Sequence, residues 1–332
     1  MSTALELSLG QDGHHSLSAV PAFLDDTLRG TTSLSFRITK RICDGDSSVY
    51  HGKLDCARDE PLNVVCKIVF DEDSDRLEDE AELYTHKMKH LQGTTVPRFY
   101  GLFSGTYVNM LGRTRAIRCI IVEAWGSSPT TLKRVPMSLR ITIAEAVLRI
   151  HAAGVQHNDL RLPNILISPD KREVRIVDFD NASQHDCPRA MPVILYAWEP
   201  TLAEFGCSEL HDFISNLGIW TLDTIRYLGR LHSVHFSSTP EKMLKNAKSE
   251  PTATIPDEPE DQLLARADTL LKNYYKRYGA RFPFIGPPGN PIYEGLDEAS
   301  CAMLEPKVVS VDRLEKCRPP IETPVAQSAV PL

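Results

Sequence analysis

The sequence predicts an α+β fold in two parts, a strand-rich part followed by a more helical one. Apolar and polar residues alternate within 35–54 and 98–123, which is typical of half-buried strands. Apolar residues recur at three- and four-residue steps in 75–91 and 139–150, which is typical of helices with one buried face. The chain of 332 residues also exceeds a typical single-core domain, so we expect two lobes or two small domains with tails.

Composition favours an intracellular protein of the cytoplasm or nucleus. The formal net charge is −7, so the chain lacks the cationic excess that would hold nucleic acid or an anionic membrane surface. No run approaches the roughly 18 apolar residues of a membrane span, and the first residues lack a signal-peptide pattern. The eight cysteines are scattered without a CxxC pair, which is typical of reduced thiols. Nothing in the sequence indicates an oligomeric state.

The strand-rich part is predicted at residues 34–125, after a loosely ordered, flexible arm at residues 1–33. The predicted strands are 35–42, 49–54, 64–70, 98–108 and 115–123, and the predicted helix is 75–91. Small turn residues separate the first two strands, which indicates a hairpin. The third strand is apolar except for Lys67, and a charge in such a strand needs an anionic partner.

The more helical part is predicted at residues 126–237. A Ser-, Pro- and Thr-rich hinge opens it, and the helix at 139–150 ends near Gly154. The next predicted elements are a polar loop at 155–164, strands at 165–167 and 174–177, and helical character at 210–231. Composition then predicts a flexible insertion at 238–262, a C-terminal helix within 263–281 and a Pro-rich extended or disordered tail at 282–332.

The polar loop is a candidate active site, because it places several polar side chains between two apolar runs. These side chains are His157, Asp159, Arg161 and Asn164. Phosphoryl transfer from ATP requires a cation at the phosphates, oxygen ligands for Mg²⁺ and a carboxylate beside the incoming hydroxyl. Lys67 supplies such a cation, and Asp159, Asn164 and Asp178 supply the oxygens. A polar turn without function is the alternative for this loop, and the coincidence with Lys67 and Asp178 argues against it.

Three motifs resemble those of protein kinases. Residues 157–164 (HNDLRLPN) resemble the catalytic loop H-R-D-L-K-x-x-N, residues 178–180 (DFD) resemble D-F-G, and residues 65–67 (VCK) are similar to V-A-I-K. The likeness spans about residues 36 to 230. Segments that resemble the fungal-type atypical protein kinase-like proteins in particular are 91–93, 96–97 and 205–210. The resemblance implies a bilobal protein kinase-like fold, with a small mostly-β N-lobe that carries one helix and a mostly helical C-lobe.

The resemblance also implies roles for individual residues, with ATP and Mg²⁺ as cofactors. Asp159 would accept or orient the proton of the acceptor hydroxyl, and Arg161 would contact the γ-phosphate. Lys67 would bind the α- and β-phosphates while paired with Glu80, which is preferred over Glu82 because it shares a helical face with buried residues.

The remaining implied roles concern Mg²⁺ and the rest of the nucleotide. Asn164 and Asp178 would hold the metal. The hinge at residues 121–125 would bind adenine, with Glu123 and Trp125 as its named contacts. The implied phosphate-loop residues are Gly45, Ser47 and Val49.

The chain departs from the kinase pattern in several places. Its phosphate loop is nearly without glycine: Ile42, Asp44 and Ser47 stand at the glycine positions, and Gly45 is one place off. Asn158 replaces an arginine that reads activation-loop phosphorylation, so control by that phosphorylation is not expected. Asp180 replaces the last residue of D-F-G, and no A-P-E motif follows. Asp212 is the candidate for the buried anchoring aspartate, although its spacing is one residue off.

Three functions therefore stay open. A kinase that phosphorylates Ser/Thr of a protein substrate is favoured, a small-molecule kinase of the aminoglycoside or choline type is the second enzyme, and a pseudokinase that serves as a binding scaffold is the non-enzyme alternative. A zinc site made of His185, Cys187, Cys207 and His211 is also conceivable from residue type. Its spacing fits no standard closed site, so ordinary core residues are favoured there.

Overall fold

A closed β-barrel forms the N-terminal part of the protein in the computed structural model, which describes residues 3–8, 14–44, 47–56, 60–70, 74–108, 111–234, 236–249, 256–279 and 308–309. The barrel strands are β1 (Ala4–Ser8), β2 (His14–Ala19), β3 (Ser33–Asp44), β4 (Ser48–Asp55), β5 (Leu62–Phe70), β6 (Phe99–Val108) and β7 (Thr114–Glu123). Around the barrel they follow the order β1-β2-β6-β7-β5-β4-β3. Lys67 in β5 therefore has a paired strand on each side, which excludes an edge-strand position for it.

The first two strands stand where a flexible arm at residues 1–33 was predicted, and this part of the prediction is corrected. β1 pairs antiparallel with β2 and parallel with β3, and β2 continues the sheet to β6. Leu5, Leu7 and Leu17 are buried in the barrel. Each strand is too short to be recognised from its own sequence. The two strands are stabilised by pairing that leaves the sheet without a free edge, and local sequence does not reveal such pairing.

A helical segment connects β5 to β6. It begins as α1 (Ser74–Glu82), continues as a π-helical turn at Leu83–Lys87 and ends in a 3₁₀ turn at Lys89–Leu91. The apolar face predicted for residues 75–91 is buried and consists of Leu77, Ala81, Tyr84, Met88 and Leu91. These side chains share one hydrophobic core with the second part of the molecule, so the segment joins the two parts.

Helix α2 (Met137–Ala152) is central to the second part. Its predicted apolar face is buried and consists of Leu139, Ile143, Val147 and Ile150. Gly154 follows the helix with a φ of 81°, a left-handed conformation that favours glycine. The next elements are β8 (Val155–Gln156), β9 (Ile165–Ile167), β10 (Val174–Ile176), β11 (Ser183–Gln184), β12 (Val193–Ile194), α3 (Leu202–Phe205) and α4 (Ser208–Leu217). The catalytic loop predicted from the sequence therefore lies between β8 and β9.

The helical character predicted for residues 210–231 is present only in the first third of that range. α4 ends at Leu217, because Gly218 adopts a φ of 67° that a helix cannot continue through. The chain then forms a hairpin of β13 (Thr224–Tyr227) and β14 (Arg230–Ser233). The second part is therefore less helical than predicted, although the described chain as a whole is α+β with a β-rich N-terminal region.

Helix α5 (Pro240–Ser249) stands where a flexible insertion was predicted at residues 238–262, which corrects that prediction. Its buried residues, Met243, Leu244 and Ala247, pack with the β13–β14 hairpin in a separate core cluster. These apolar residues are few and lie among lysines and glutamates, so composition alone concealed the helix.

Helix α6 (Glu260–Tyr278) completes that cluster and covers most of the C-terminal helix predicted within 263–281. Of the Pro-rich tail predicted at 282–332, the described residues include β15 (Val308–Val309), which pairs with β12. The remainder of that prediction lies outside the described residues. In the part of the chain that the structure covers, no helix combines the length and apolar character of a membrane span.

Candidate active site

Lys67 lies at the centre of a buried ion cluster. Its Nζ donates to Glu80 Oε2 at 3.0 Å and to Asp178 Oδ1 at 2.6 Å, and Asp180 Oδ2 is 3.2 Å away. Lys67 and Glu80 are 7% and 2% exposed. The predicted pairing of Lys67 with Glu80 is therefore present, whereas the fallback residue Glu82 is exposed. The contribution of Asp180 was not predicted.

The cluster holds more negative than positive charge. Burial lowers the pKa of Lys67, but attraction by Glu80, Asp178 and Asp180 outweighs burial and raises the pKa above its usual value. The ammonium group therefore stays protonated at neutral pH. Burial raises the pKa of Glu80, and attraction by Lys67 only partly opposes this. Asp178 and Asp180 alone already give two carboxylates beside one ammonium group, which favours a further cation at this place.

Glu80 also fixes the chain around Asp178. Its Oε1 accepts the backbone N–H of Phe179 at 3.2 Å, and the Phe179 ring packs edge-on against Tyr84 at 5.5 Å between centroids. Asp178 adopts a φ of 72°, a left-handed conformation that non-glycine residues keep only when their surroundings enforce it. The Phe179 contacts and the bond to Lys67 enforce it here, so the direction of the Asp178 carboxylate is fixed from two sides.

The loop between β8 and β9 brings together the residues predicted to be catalytic. Asp159 Oδ2 accepts from Asn164 Nδ2 at 3.1 Å and lies 2.9 Å from Arg161 Nε. Asn164 Nδ2 also donates to the Asp159 carbonyl at 3.0 Å. No residue in the described ranges donates to Asp159 Oδ1. One oxygen of the carboxylate is thus held in place while the other remains an acceptor for a substrate.

Asn164 and Asp178, the predicted Mg²⁺ ligands, belong to segments that are hydrogen-bonded to each other. Val177 N donates to the Asn164 carbonyl at 3.0 Å. Asn164 Oδ1 and Asp178 Oδ2 accept no hydrogen bond from the described part of the chain, so both oxygens are available. An amide oxygen and a carboxylate are the hard ligands that Mg²⁺ prefers, and the excess negative charge around Lys67 also suits a divalent cation. The donor set therefore fits the implied metal.

Glu209, at the start of α4, anchors the catalytic loop from behind. Its Oε2 accepts the backbone N–H of His157 at 3.0 Å, and its Oε1 accepts the backbone N–H of Asn158. The same carboxylate lies 2.7 Å from His151 Nε2. Burial raises the pKa of Glu209, but the hydrogen bonds from His151 and from the two amides outweigh burial and lower it. The carboxylate is therefore ionised at neutral pH and holds both backbone amides.

The anchoring role that the resemblance suggested for Asp212 is wrong. The Asp212 side chain is 76% exposed and its Oδ1 lies 3.4 Å from His211 Nδ1 of the neighbouring residue. Glu209 lies three positions earlier on the same helix, and it reaches the loop with a longer side chain. The one-residue mismatch in spacing at Asp212 was the signal that another residue serves as the anchor.

Asn158 connects the catalytic loop to the chain that follows Asp180. It adopts a φ of 62°, a left-handed conformation that asparagine tolerates better than most residues. Its Nδ2 donates to the Asn181 carbonyl at 2.9 Å and to Ser183 Oγ at 3.0 Å. Where the resemblance places an arginine that reads a phosphate, this chain therefore has a residue with a local structural role.

The side chains of the predicted hinge residues Glu123 and Trp125 are held by Arg175 of β10. Arg175 donates to Glu123 Oε2 at 2.6 Å and to the Gly93 carbonyl at 2.7 Å, and its guanidinium lies over the Trp125 ring at 4.3 Å. Arg175 is buried. The structure thus uses both hinge side chains to connect the barrel with the second part of the molecule.

The predicted phosphate-loop residues lie around the β3–β4 turn. Gly45 is outside the described residues. Ser47 is half-buried just before β4, and Val49 stands directly opposite Lys67 in the β4–β5 ladder. Directly opposed residues share one face of a sheet, so Val49 and Lys67 face the same side of the barrel wall.

Three residues of this site were not predicted from the sequence. Asp180 lies in the motif at residues 178–180, but it was recognised only as a departure from D-F-G and not as a partner of Lys67. Arg175 interrupts an apolar strand, as Lys67 does. The signal that identified Lys67 could therefore have identified Arg175 as well. Glu209 carries no local signal, because its partners lie in a distant loop.

Comparison with known protein families gives a match over part of the chain. The sequence profile of the lipopolysaccharide kinase (Kdo/WaaP) family matches residues 122–191, a segment that runs from the hinge through α2 and the catalytic loop to beyond Asp178. Lys67 and Glu80 lie outside the matched segment. No curated protein matches the chain. Over the matched segment the chain is similar to a kinase family of the protein kinase-like superfamily, which implies a kinase-like fold around the site.

Proposed function

We propose that this protein is an ATP- and Mg²⁺-dependent phosphotransferase that acts on a hydroxyl group. The observation that carries the proposal is the buried cluster in which Lys67 of β5 meets Glu80 of α1 and the distant Asp178, because three separate segments supply its members. A buried lysine with two hydrogen-bonded carboxylates beside a loop that contains Asp159 and Asn164 is the arrangement that phosphoryl transfer requires. The family match over residues 122–191 supports the same reaction class.

Lys67 would bind the α- and β-phosphates, with Glu80 holding its side chain in position. Asn164 Oδ1 and Asp178 would hold Mg²⁺, which neutralises charge on the phosphates when it is bound. Arg161, whose side chain is 63% exposed, can reach the γ-phosphate and present two N–H groups to it. The protein thus contributes positioning and charge, which account for most of the catalysis in this reaction class.

Asp159 would take the proton of the acceptor hydroxyl on Oδ1. Its other oxygen is fixed by Asn164 at 3.1 Å, so the carboxylate cannot rotate freely. A fixed base within hydrogen-bond reach of the hydroxyl lowers the barrier to attack on the γ-phosphate. Asp159 would thus divide two tasks between its oxygens, with orientation on Oδ2 and proton acceptance on Oδ1.

Adenine would bind along the hinge through backbone groups. The N–H groups of Glu123 and Ala124 already donate to the Arg98 and Asn63 carbonyls at 2.8 and 3.1 Å. In the described ranges the N–H of Trp125 has no acceptor, so we assign the adenine contact to it. Glu123 then contributes by holding the hinge against Arg175 instead of touching the nucleotide with its carboxylate.

The acceptor is proposed to be Ser/Thr of a protein, as the catalytic-loop resemblance implies. A sugar hydroxyl is the second candidate, because the family that matches is named for lipopolysaccharide kinases. The missing A-P-E motif also removes a feature of the protein-substrate platform. Both acceptors require the same chemistry at Asp159, so an experiment must distinguish them by identifying the phosphorylated product.

Nucleotide binding is the first test. Titration with Mg-ATP is expected to raise the melting temperature, because a ligand that binds only the folded state adds about 2.7 kcal/mol of stability at 100 times its Kd. Mg-AMP, which keeps only the first of the two phosphates that Lys67 would bind, serves as the control. If millimolar Mg-ATP leaves the melting temperature unchanged, the enzyme proposal fails and a scaffold role is favoured.

Phosphoryl transfer is the second test. With γ-labelled ATP and either cell proteins or oligosaccharides as acceptors, Asp159→Asn is expected to reduce product formation by about 10²- to 10⁴-fold. The variant should still bind Mg-ATP, since Lys67 is unchanged. Asp268→Asn, on the exposed face of α6, is the matched control. Labelled protein supports the first acceptor and labelled sugar the second, whereas ATP binding without any transfer would leave the pseudokinase.

A further inference from the structure

Four side chains with nitrogen or sulfur ligand atoms converge behind the catalytic loop. They are His151 at the end of α2, His185 and Cys187 after β11, and Cys207 just before α4. All four ligand atoms lie within 4.8 Å of one another. His151 and Cys207 are buried, and the other two are half-buried. The cluster is thus a protein-lined site of soft donors, separate from the oxygen-rich cluster around Lys67.

The composition of this cluster differs from the set that sequence spacing suggested. His211 is not part of it, since its Nε2 faces the Pro200 carbonyl at 2.8 Å. His151 takes the fourth position instead. The sequence spacing looked unlike a zinc site because one ligand comes from a helix far upstream of the other three.

Two distances within the cluster match the edges of a zinc tetrahedron. Zn–S bonds of about 2.3 Å and Zn–N bonds of about 2.0 Å at tetrahedral angles place sulfur and nitrogen ligands about 3.6 Å apart. Cys207 Sγ lies 3.7 Å from His151 Nδ1 and 3.6 Å from His185 Nε2. The four ligand atoms lie within 4.8 Å of one another, so an ion at the centre would draw the more distant ones inward by about 1 Å.

His151 is oriented as a metal ligand by an outer carboxylate. Glu209 Oε2 lies 2.7 Å from His151 Nε2 and can only accept a hydrogen bond, so Nε2 carries the proton. The lone pair is then on Nδ1, the nitrogen that faces Cys207. A carboxylate that fixes the tautomer of a ligating histidine is the usual outer support of zinc sites.

From this geometry we propose that His151, His185, Cys187 and Cys207 bind one Zn²⁺ ion in a closed structural site. Four protein ligands leave no open position, which is typical of structural and not catalytic zinc. Two thiolates and two imidazoles select zinc over Mg²⁺, which prefers oxygen. Binding would release the thiol protons and connect α2, the chain after β11 and the start of α4.

The proposed ion would also support the catalytic loop, although the proposal does not depend on the proposed activity. Zinc would fix His151, and His151 is bonded to Glu209. Glu209 in turn accepts the backbone N–H groups of His157 and Asn158. These three contacts connect the metal to the loop that contains Asp159.

Metal content of the purified full chain tests the proposal directly. Mass spectrometry of the elements is expected to find about one equivalent of zinc per chain, and Cys187→Ser and His185→Gln are expected to lose it. Cys43→Ser, an exposed cysteine outside the cluster, and His211→Gln are the matched controls and should keep the metal. Circular dichroism verifies that each variant is folded. Zinc retained by the folded Cys187→Ser and His185→Gln variants would overturn the site.

Cobalt replacement keeps the proposal testable if the variants fail to fold. The chelated wild-type chain is titrated with Co²⁺, and tetrahedral thiolate ligation is expected to give sulfur-to-cobalt absorption and intense visible bands. Saturation should occur near one equivalent, and added Zn²⁺ should abolish the spectrum. Two results together would contradict the proposal: absence of these bands, and less than about one tenth of an equivalent of zinc after incubation with Zn²⁺. They would show that the four side chains only hydrogen-bond to one another.

Discussion

Two glutamates, the buried Glu80 and the half-buried Glu209, hold the two halves of the candidate active site, and they differ in the group that balances their charge. Glu80 accepts the Phe179 N–H and pairs with Lys67. Glu209 accepts the N–H groups of His157 and Asn158 and is bonded to His151. Each carboxylate thus fixes a stretch of backbone that carries a predicted catalytic or metal-binding aspartate.

The difference between the partners determines what happens when one of them is removed. A lysine remains a cation at neutral pH, so Glu80 belongs to a buried ion pair whose disruption leaves an uncompensated charge. An imidazole carries charge only when protonated, and the loss of its contact removes a hydrogen bond. We therefore expect the half of the site held by Glu80 to be the more sensitive one.

The largest effect is expected for Lys67→Met. The substitution leaves Glu80, Asp178 and Asp180 without their cation, and removal of one partner of a buried pair costs about 3–5 kcal/mol. Urea unfolding measures the free energy directly. Lys272→Met, in an exposed pair with Asp268, is the control and should change the stability by less than about 1 kcal/mol. Equal losses in the two variants would contradict the buried-pair interpretation.

A smaller effect is expected for Glu209→Ala. Two backbone N–H groups and His151 lose their acceptor, and unsatisfied buried groups cost about 1–3 kcal/mol. Hydrogen exchange at the His157 and Asn158 amides should become faster. Asp212→Ala on the same helix is the control, with a change within about 0.5 kcal/mol, because its side chain is exposed. If Asp212→Ala were the more damaging of the two, the assignment of the anchor would be reversed.

The smallest effect is expected for Gly154→Ala. A side chain at a φ of 81° costs about 1–2 kcal/mol, and the space around it is otherwise adequate, since the nearest atom would be 3.7 Å away. The strained backbone would lie close to His151, in the half of the candidate active site that Glu209 holds. Gly279→Ala, at a right-handed φ and in open space, should be neutral in the same thermal-unfolding measurement.

The sequence predicted the parts of the site that carry their own local signal. Lys67 interrupts an apolar strand, and Asp159, Asn164 and Asp178 lie in short motifs, so each was recognisable before any contact was known. Glu80 followed from helical periodicity, and the structure pairs it with Lys67. The nucleotide and metal roles of these residues remain predictions that the experiments above address.

The features that escaped prediction depend on contacts between distant segments. Glu209 and His151 are ordinary residues in their own helices, and their roles arise where α2, α4 and the loop meet. β1 and β2 exist because they close a barrel, and α5 because it packs on α6. Local periodicity cannot report such stabilisation, since it is supplied by partners far away along the chain.

The contacts of Arg175 have a consequence for motion. This residue belongs to β10 in the second part of the molecule, and it holds Glu123, the last residue of β7, and Trp125, two positions later. Separation of the two parts at that point would withdraw a buried guanidinium from its carboxylate, at a cost of several kcal/mol. We therefore expect any separation of the two parts to leave the Arg175 contacts intact, so that the displacement is smallest at the hinge and grows with distance from it.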